Sequence, residues 1–150
     1  MESFYDDYLN NLDELHLDIE KALEGLTPAA LDWVPQPGMN SIGVMVYHLT
    51  GAEGYWIGDV IGGGKSDRDR EAEFKVQGMD AETLRMRLTD SRAMAAVVLS
   101  GLKTSDLESR RLARHQREVT VAWALGHALK HTATHMGQIQ LTRELWDKSK

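Results

Sequence analysis

The chain has 150 residues, 42% hydrophobic and 27% charged, the balance of an ordinary globular domain long enough to bury a sizeable core. It contains no cysteine, which excludes disulfides, cysteine nucleophiles, Cys-held zinc and iron–sulfur clusters, so any metal must be held by His, Asp or Glu. A net charge of −6 argues against non-specific nucleic-acid binding, and no apolar run approaches the length of a membrane span.

The N-terminal MESFYDDYLN is acidic and lacks an apolar core, unlike a signal peptide, so a cytoplasmic location is expected. The first helical pattern runs from about Ser3 to Leu26, with Phe4, Tyr8, Leu12, Leu15, Ile19, Leu23 and Leu26 as one apolar stripe. Ser3 can cap it, and Asp6 and Asp7 suit the positive end of its dipole. All three prolines, Pro28, Pro35 and Pro37, fall in the loop that follows. Thr27-Pro28 reads as a cap and first-turn proline for a short turn, and Trp33 is expected to lid the core.

A second helix starts after Asn40 or Ser41 and runs to about Ile61, where Gly62-Gly63-Gly64 ends it. The segment 65–78 is charged, has no clear period, and reads as an exposed, mobile connection. The third helix begins at the Asp80 cap and buries Leu84, Leu88, Ser91, Ala95, Val98 and Leu102. Residues 103–118 are charged, with room for one helical turn after Thr104-Ser105. Arg110, Arg111, Arg114 and Arg117 form a local basic cluster there, read as a solvated helix end or loop. The fourth helix spans about Thr120 to Trp146 and is apolar around most of its first half, which predicts a central position. With strand signals nearly absent, the expected fold is an all-α four-helix bundle, one domain over residues 1–150.

Half of the six histidines lie in one dodecapeptide, as His127, His131 and His135. A helix turns about 100° per residue, so each lies one turn from the next, and two such imidazoles can grip one ion. His48, beside Met45, Leu49 and Ala52 on the second helix, is the candidate third ligand. Bundles build metal sites from facing helices in this way. Three neutral imidazoles leave one position of a tetrahedral ion open, the pattern of a catalytic rather than a structural zinc site. Zinc is the default, and nickel, copper and ferrous iron also suit imidazole. His127 reads as a surface residue or a neighbour of the site, and His16 and His115 as surface residues.

Gln138 shares the face of His131 and His135 and can orient them; Thr134 is close to that face. Tyr55 is two turns along from His48, where its phenol either donates to a bound ligand or fills the core. Glu53 lies roughly 140° around the helix from His48, a poor co-ligand position, and a salt bridge to another helix suits it better. The H-E-x-x-H motif is absent, since Thr132 follows His131.

Residues 31–56, LDWVPQPGMNSIGVMVYHLTGAEGYW, and 131–139, HTATHMGQI, resemble the DinB-like superfamily of four-helix bundles. That superfamily includes YfiT-like metal-dependent hydrolases, bacterial thiol transferases and maleylpyruvate isomerases. The order also matches: one His early in the second helix, then H-x-x-x-H-x-G-Q late in the fourth. The resemblance implies a metal site of His48, His131 and His135, and a homodimer packed through the flank of the bundle. The isomerase branch carries Glu at the position of His131, so the three-His set is more similar to that of the thiol transferases.

The function expected is metal activation of a low-molecular-weight thiol or water, for transfer to or hydrolysis of a small electrophile. His48, His131 and His135 would hold the ion, and Tyr55 or Gln138 would tune what it binds. The alternative is a non-catalytic, metal-binding stress-response protein in which the ion ties two helices together. No nucleic acid or membrane partner is expected.

Overall fold

The computed structural model describes residues 1–150. Its helices are α1 (Ser3–Leu23), α2 (Pro28–Asp32), α3 (Ile42–Glu53), α4 (Arg70–Glu73), α5 (Ala81–Ser100) and α6 (Val121–Lys148). The long ones form the expected four-helix bundle. α3 continues without a break into a π-helical stretch, Gly54–Ile61, closed by the Gly62 N–H donating to the Ile57 carbonyl at 2.9 Å. No helix is long and apolar enough to cross a membrane.

Local chemistry sets the helix starts. Ser41 accepts from Val44 N–H at 3.2 Å, Asp80 from Thr83 N–H at 2.7 Å, and Thr120 from Trp123 N–H at 3.1 Å, each satisfying an orphan donor of the first turn. Thr27 does the same for α2, with Pro28 at its first position. α1 departs from expectation at both ends. Its cap is Glu2, without a side-chain bond, and it stops at Leu23 rather than Leu26. Gly25 (φ 71°) takes the left-handed turn that follows. Arg143 of α6 then donates to the free carbonyls of Ala22 at 2.9 Å and Glu24 at 2.7 Å. Trp33 meets Trp146 edge-on at 5.6 Å, fastening the 27–40 loop over the end of α6.

In cross-section α3 packs between α5 and α6, and α1 packs against the same two helices from the opposite side. The buried side chains form two clusters, one around Leu12, Ile57, Leu99 and Leu125 and the other around Leu23, Leu49, Leu88 and Ile139. Read along each helix, the order in which these clusters are visited gives the direction. α1 and α6 run one way; α3 and α5 run the other. Successive long helices α3 and α5 are therefore parallel, and the chain between them must return the full length of the bundle. Residues 62–80 make that return.

Between the two clusters each long helix carries a buried polar residue at the same level: His16 on α1, Glu53 on α3, Ser91 on α5 and Thr132 on α6. Glu53 is fully buried at 0% exposure and takes His16 Nε2 at 3.0 Å and Thr132 Oγ1 at 2.6 Å on Oε1. Ser91 Oγ donates to Oε2 in a short bond. One carboxylate thus ties all four helices. Burial favours its neutral acid, but the hydrogen bonds from His16, Ser91 and Thr132, with the charge of His16, outweigh this and hold it below its ordinary value.

Four expectations are corrected. His16 is 5% exposed, not a surface residue; it occupies the stripe between Leu12 and Ile19, where Glu53 compensates its burial. Tyr5, not Phe4, is the buried aromatic at the start of α1. The stretch 103–118 contains a helical turn, Thr104–Glu108, but also the first strand of an antiparallel hairpin, β1 (Arg110–Leu112) and β2 (Glu118–Thr120). The first half of α6 is not buried all round, because Trp123 is 37% exposed and carries the guanidinium of Arg117 at 4.2 Å.

Candidate metal centre

His48 leaves α3 toward α6, where His131 and His135 lie one turn apart on the facing side. One ring nitrogen from each forms a set lying within 4.8 Å of one another. His48 is nearly buried, and His131 and His135 are half-buried. The rings meet at centroid distances of 4.8 Å for His48–His131, 5.0 Å for His48–His135 and 4.5 Å for His131–His135. His127 lies apart. Its ring is 6.4 Å from that of His131 and stacks on Trp123 at 4.7 Å, so it is a neighbour rather than a member of the set.

The nitrogen that each outer ring turns away from the set has an acceptor. His48 Nδ1 lies 3.0 Å from Glu73 Oε1, and a carboxylate can only accept, so the ring proton sits on Nδ1 and the lone pair on Nε2. His135 Nδ1 lies 2.8 Å from Gln138 Oε1, which sets the same tautomer. His131 Nε2 stands 3.1 Å from His48 Nε2, while His131 Nδ1 is buried with no partner. Two lone-pair nitrogens at that distance repel unless a proton or cation lies between them. Ligand nitrogens on a tetrahedral ion with bonds of about 2.0–2.1 Å are about 3.3 Å apart. The donor set therefore fits a divalent metal.

The electrostatics agree. Burial, then the neighbouring imidazoles and Arg68, pull His131 down to about 4. Burial and His48 lower His135, partly offset by its bond to Gln138. Neutral rings with free lone pairs are what a metal requires.

Glu73 was not foreseen. The 62–80 return is not merely an exposed connection: within it Asp69 caps α4 by accepting from Ala72 N–H at 3.1 Å, and Glu73 is 6% exposed. Arg68 grips both carboxylate oxygens, Nε to Oε2 at 2.7 Å and the terminal nitrogen to Oε1 at 2.8 Å. Phe74 lies against the His48 ring at 4.8 Å. Burial alone raises Glu73, but its bonds to Arg68 and His48, and their charges, leave it lowered and ionised. The one signal in the sequence is the Asp69 cap ahead of an acidic turn.

A cavity of about 360 Å³ opens in front of His48 and His131. Tyr55 lines it, with its phenolic oxygen accepting from Arg114 N–H at 2.7 Å. Its own O–H remains available to a bound molecule. Of the two readings of the basic cluster the loop is the right one, since Arg114 and Arg117 are exposed on the hairpin turn, and there they also form the far wall of the cavity. Glu53, paired with His16 across to α1, takes no part in the set.

A sequence profile of the DinB superfamily matches residues 11–139. The fold is similar to that of a conserved protein from Enterococcus faecalis (20% identity, TM-score 0.80, 99% of both chains covered). It is also similar to YfiT from Bacillus subtilis (18% identity, TM-score 0.75, 99% of this chain and 90% of that one). YfiT is described as a probable metal-dependent hydrolase with an unusual four-helix bundle topology. A mycothiol-dependent maleylpyruvate isomerase is similar over 93% of this chain and 63% of its own (14% identity, TM-score 0.65). No curated protein sequence matches the chain. The profile spans most of the chain and takes in all three converging histidines, and on that ground the chain belongs to the DinB superfamily.

Proposed function

We propose that this chain is a metal-dependent enzyme in which His48, His131 and His135 hold one divalent ion, zinc by default, with nickel or iron as alternatives. It acts on a low-molecular-weight thiol or on water, for transfer to or hydrolysis of a small electrophile. The observation that supports this best is the pair of fixed tautomers. Glu73 and Gln138 hold the outward protons of His48 and His135, so that free lone pairs converge beside His131. When bound, the ion supplies a Lewis acid that eases deprotonation of a thiol or water.

The protein's own residues supply orientation and surroundings. Glu73 fixes the His48 ring and adds negative charge behind it, which raises the basicity of the ligand nitrogen. Arg68 keeps that carboxylate ionised and in place. Gln138 is a positioning residue for His135. Tyr55 presents an O–H to whatever occupies the cavity, Trp56 adds an apolar wall to it, and Phe74 packs against the His48 ring.

Metal analysis of untagged protein tests the first half: near-stoichiometric divalent metal is expected, lost in His131→Ala. Absence of metal, with no uptake on soaking, overturns it. A panel of thiols assayed against 1-chloro-2,4-dinitrobenzene, with p-nitrophenyl esters for hydrolysis, tests the second half. Turnover equal in wild type and His131→Ala would mean that the ion only ties α3 to α6.

A further inference from the structure

The cavity in front of His48 and His131 is lined by 12 residues, four of them arginines and none of them Asp or Glu. The chain as a whole is acidic, with 23 Asp and Glu against 17 Lys and Arg. A lining drawn at that composition would hold about two carboxylates. Arg68 is committed to Glu73. The other three are not: Arg70, Arg114 and Arg117 have no carboxylate partner.

These three side chains are nevertheless held. Each guanidinium lies over an aromatic ring: Arg70 over Phe74 at 5.0 Å, Arg114 over Tyr55 at 4.6 Å and Arg117 over Trp123 at 4.2 Å. Stacking engages the flat face of a guanidinium and leaves its N–H edge free. Such an edge matches a carboxylate or phosphate with two parallel hydrogen bonds. The hairpin that delivers two of them is built at a conformational cost. The turn 114–117 closes with Arg117 N–H donating to the Arg114 carbonyl at 3.3 Å. Its central residues, His115 (φ 58°) and Gln116 (φ 59°), are both left-handed without being glycine.

Resting on the metal-enzyme reading above, we infer that this cavity is a subsite for an organic anion. The substrate carries a carboxylate or phosphate that docks on Arg70, Arg114 and Arg117, which places its uncharged remainder toward His48 and His131. A cleft lined by one sign of charge raises the local concentration of such a molecule above that in bulk solution.

The test compares hexanoate with its neutral isostere hexanamide, by calorimetry and by Trp fluorescence, in metal-free and zinc-loaded protein. Hexanoate is expected to bind at least tenfold more tightly in both states, with the margin shrinking as salt is raised. Arg114→Gln with Arg117→Gln should remove the margin while helicity is kept, and Arg70→Gln, on another element, should reduce it. Competition by inorganic phosphate assigns the subsite to oxyanions in general; its failure to compete assigns it to carboxylates.

Equal binding of the two probes overturns the inference. So does a margin that appears only with zinc and survives the double arginine variant, because the anion then sits on the ion. Zinc uptake without the margin sinks the subsite alone. The margin in protein that takes up no zinc sinks the metal reading and leaves the subsite.

Discussion

The carboxylate of Glu73 reaches His48 because Gly51, one turn along α3 from His48, has no side chain. A Cβ built on Gly51 would overlap Glu73 Oε2 and stand 2.8 Å from the carboxyl carbon. The close approach of the return segment to α3 thus depends on one missing methyl group, and the orientation of His48 depends on that approach.

Helix propensity and site geometry predict opposite effects for Gly51→Ala. Propensity alone favours alanine by about 1 kcal/mol in a helix interior. The methyl group, however, must push Glu73 off His48. Zinc affinity, measured by competition with a chromophoric chelator, is expected to fall roughly 10–100-fold, the usual cost of losing a partner behind a ligand. Glu73→Gln should show a similar loss without the steric change. Affinity within twofold of wild type in both variants would refute the role given to Glu73.

The three converging histidines were legible because they depend on things a helix period encodes: one-turn spacing, a cap at Ser41 and a cap at Thr120. Glu73 was not, because its place depends on topology. Nothing local in residues 62–80 says that α3 and α5 are parallel, and only that arrangement carries the segment back past His48. His16 was hidden for another reason. A hydropathy stripe counts His as polar, and only the partner on α3, Glu53, makes its burial tolerable. The hairpin escaped because its strands are three residues long and its turn, His115-Gln116, lacks the Gly or Asn that marks such turns.

Glu53 makes stability pH-dependent in a direction that can be worked out. Its carboxyl is held below the ordinary value in the folded protein, so the unfolded chain binds the proton more readily. The stabilisation is complete above the unfolded carboxylate value, about 4.3, and is lost as pH falls through the lower folded value. Urea denaturation from pH 7 to pH 3 should show this decline. Glu53→Ala is expected to cost roughly 3–5 kcal/mol at pH 7, because it leaves His16 buried without its partner, and to flatten the acid limb. An unchanged acid limb would assign the pH dependence to other carboxylates.

The turn at the cavity mouth predicts a stabilising substitution. A non-glycine residue in the left-handed region costs about 1–2 kcal/mol, and glycine returns about 0.5–1 kcal/mol of that as lost chain entropy. Gln116→Gly is therefore expected to stabilise the protein by about 0.5–1 kcal/mol, a rise in Tm of roughly 1–4 °C for a chain of this size. Gln116→Asn should fall between the two. A lower Tm in both variants would mean that Gln116 contributes contacts that outweigh its backbone strain.

The metal reading makes a prediction about folding that needs no substrate. The three imidazoles come from two helices and assemble only in the folded chain, so zinc binds the native state in preference to the unfolded one. At free zinc a hundred times the dissociation constant, this stabilises the fold by about 2.7 kcal/mol, or roughly 5–10 °C in Tm. Zinc added to chelator-treated protein should raise Tm by that amount, and His131→Ala should abolish the increment. Glu73→Gln, which leaves all three ligands in place, should need a higher zinc concentration to reach the same rise. A wild-type Tm indifferent to zinc, nickel and iron would remove the ion from α3 and α6 altogether, and the convergence of lone pairs at His48 and His131 would then have to be relieved by a shared proton alone.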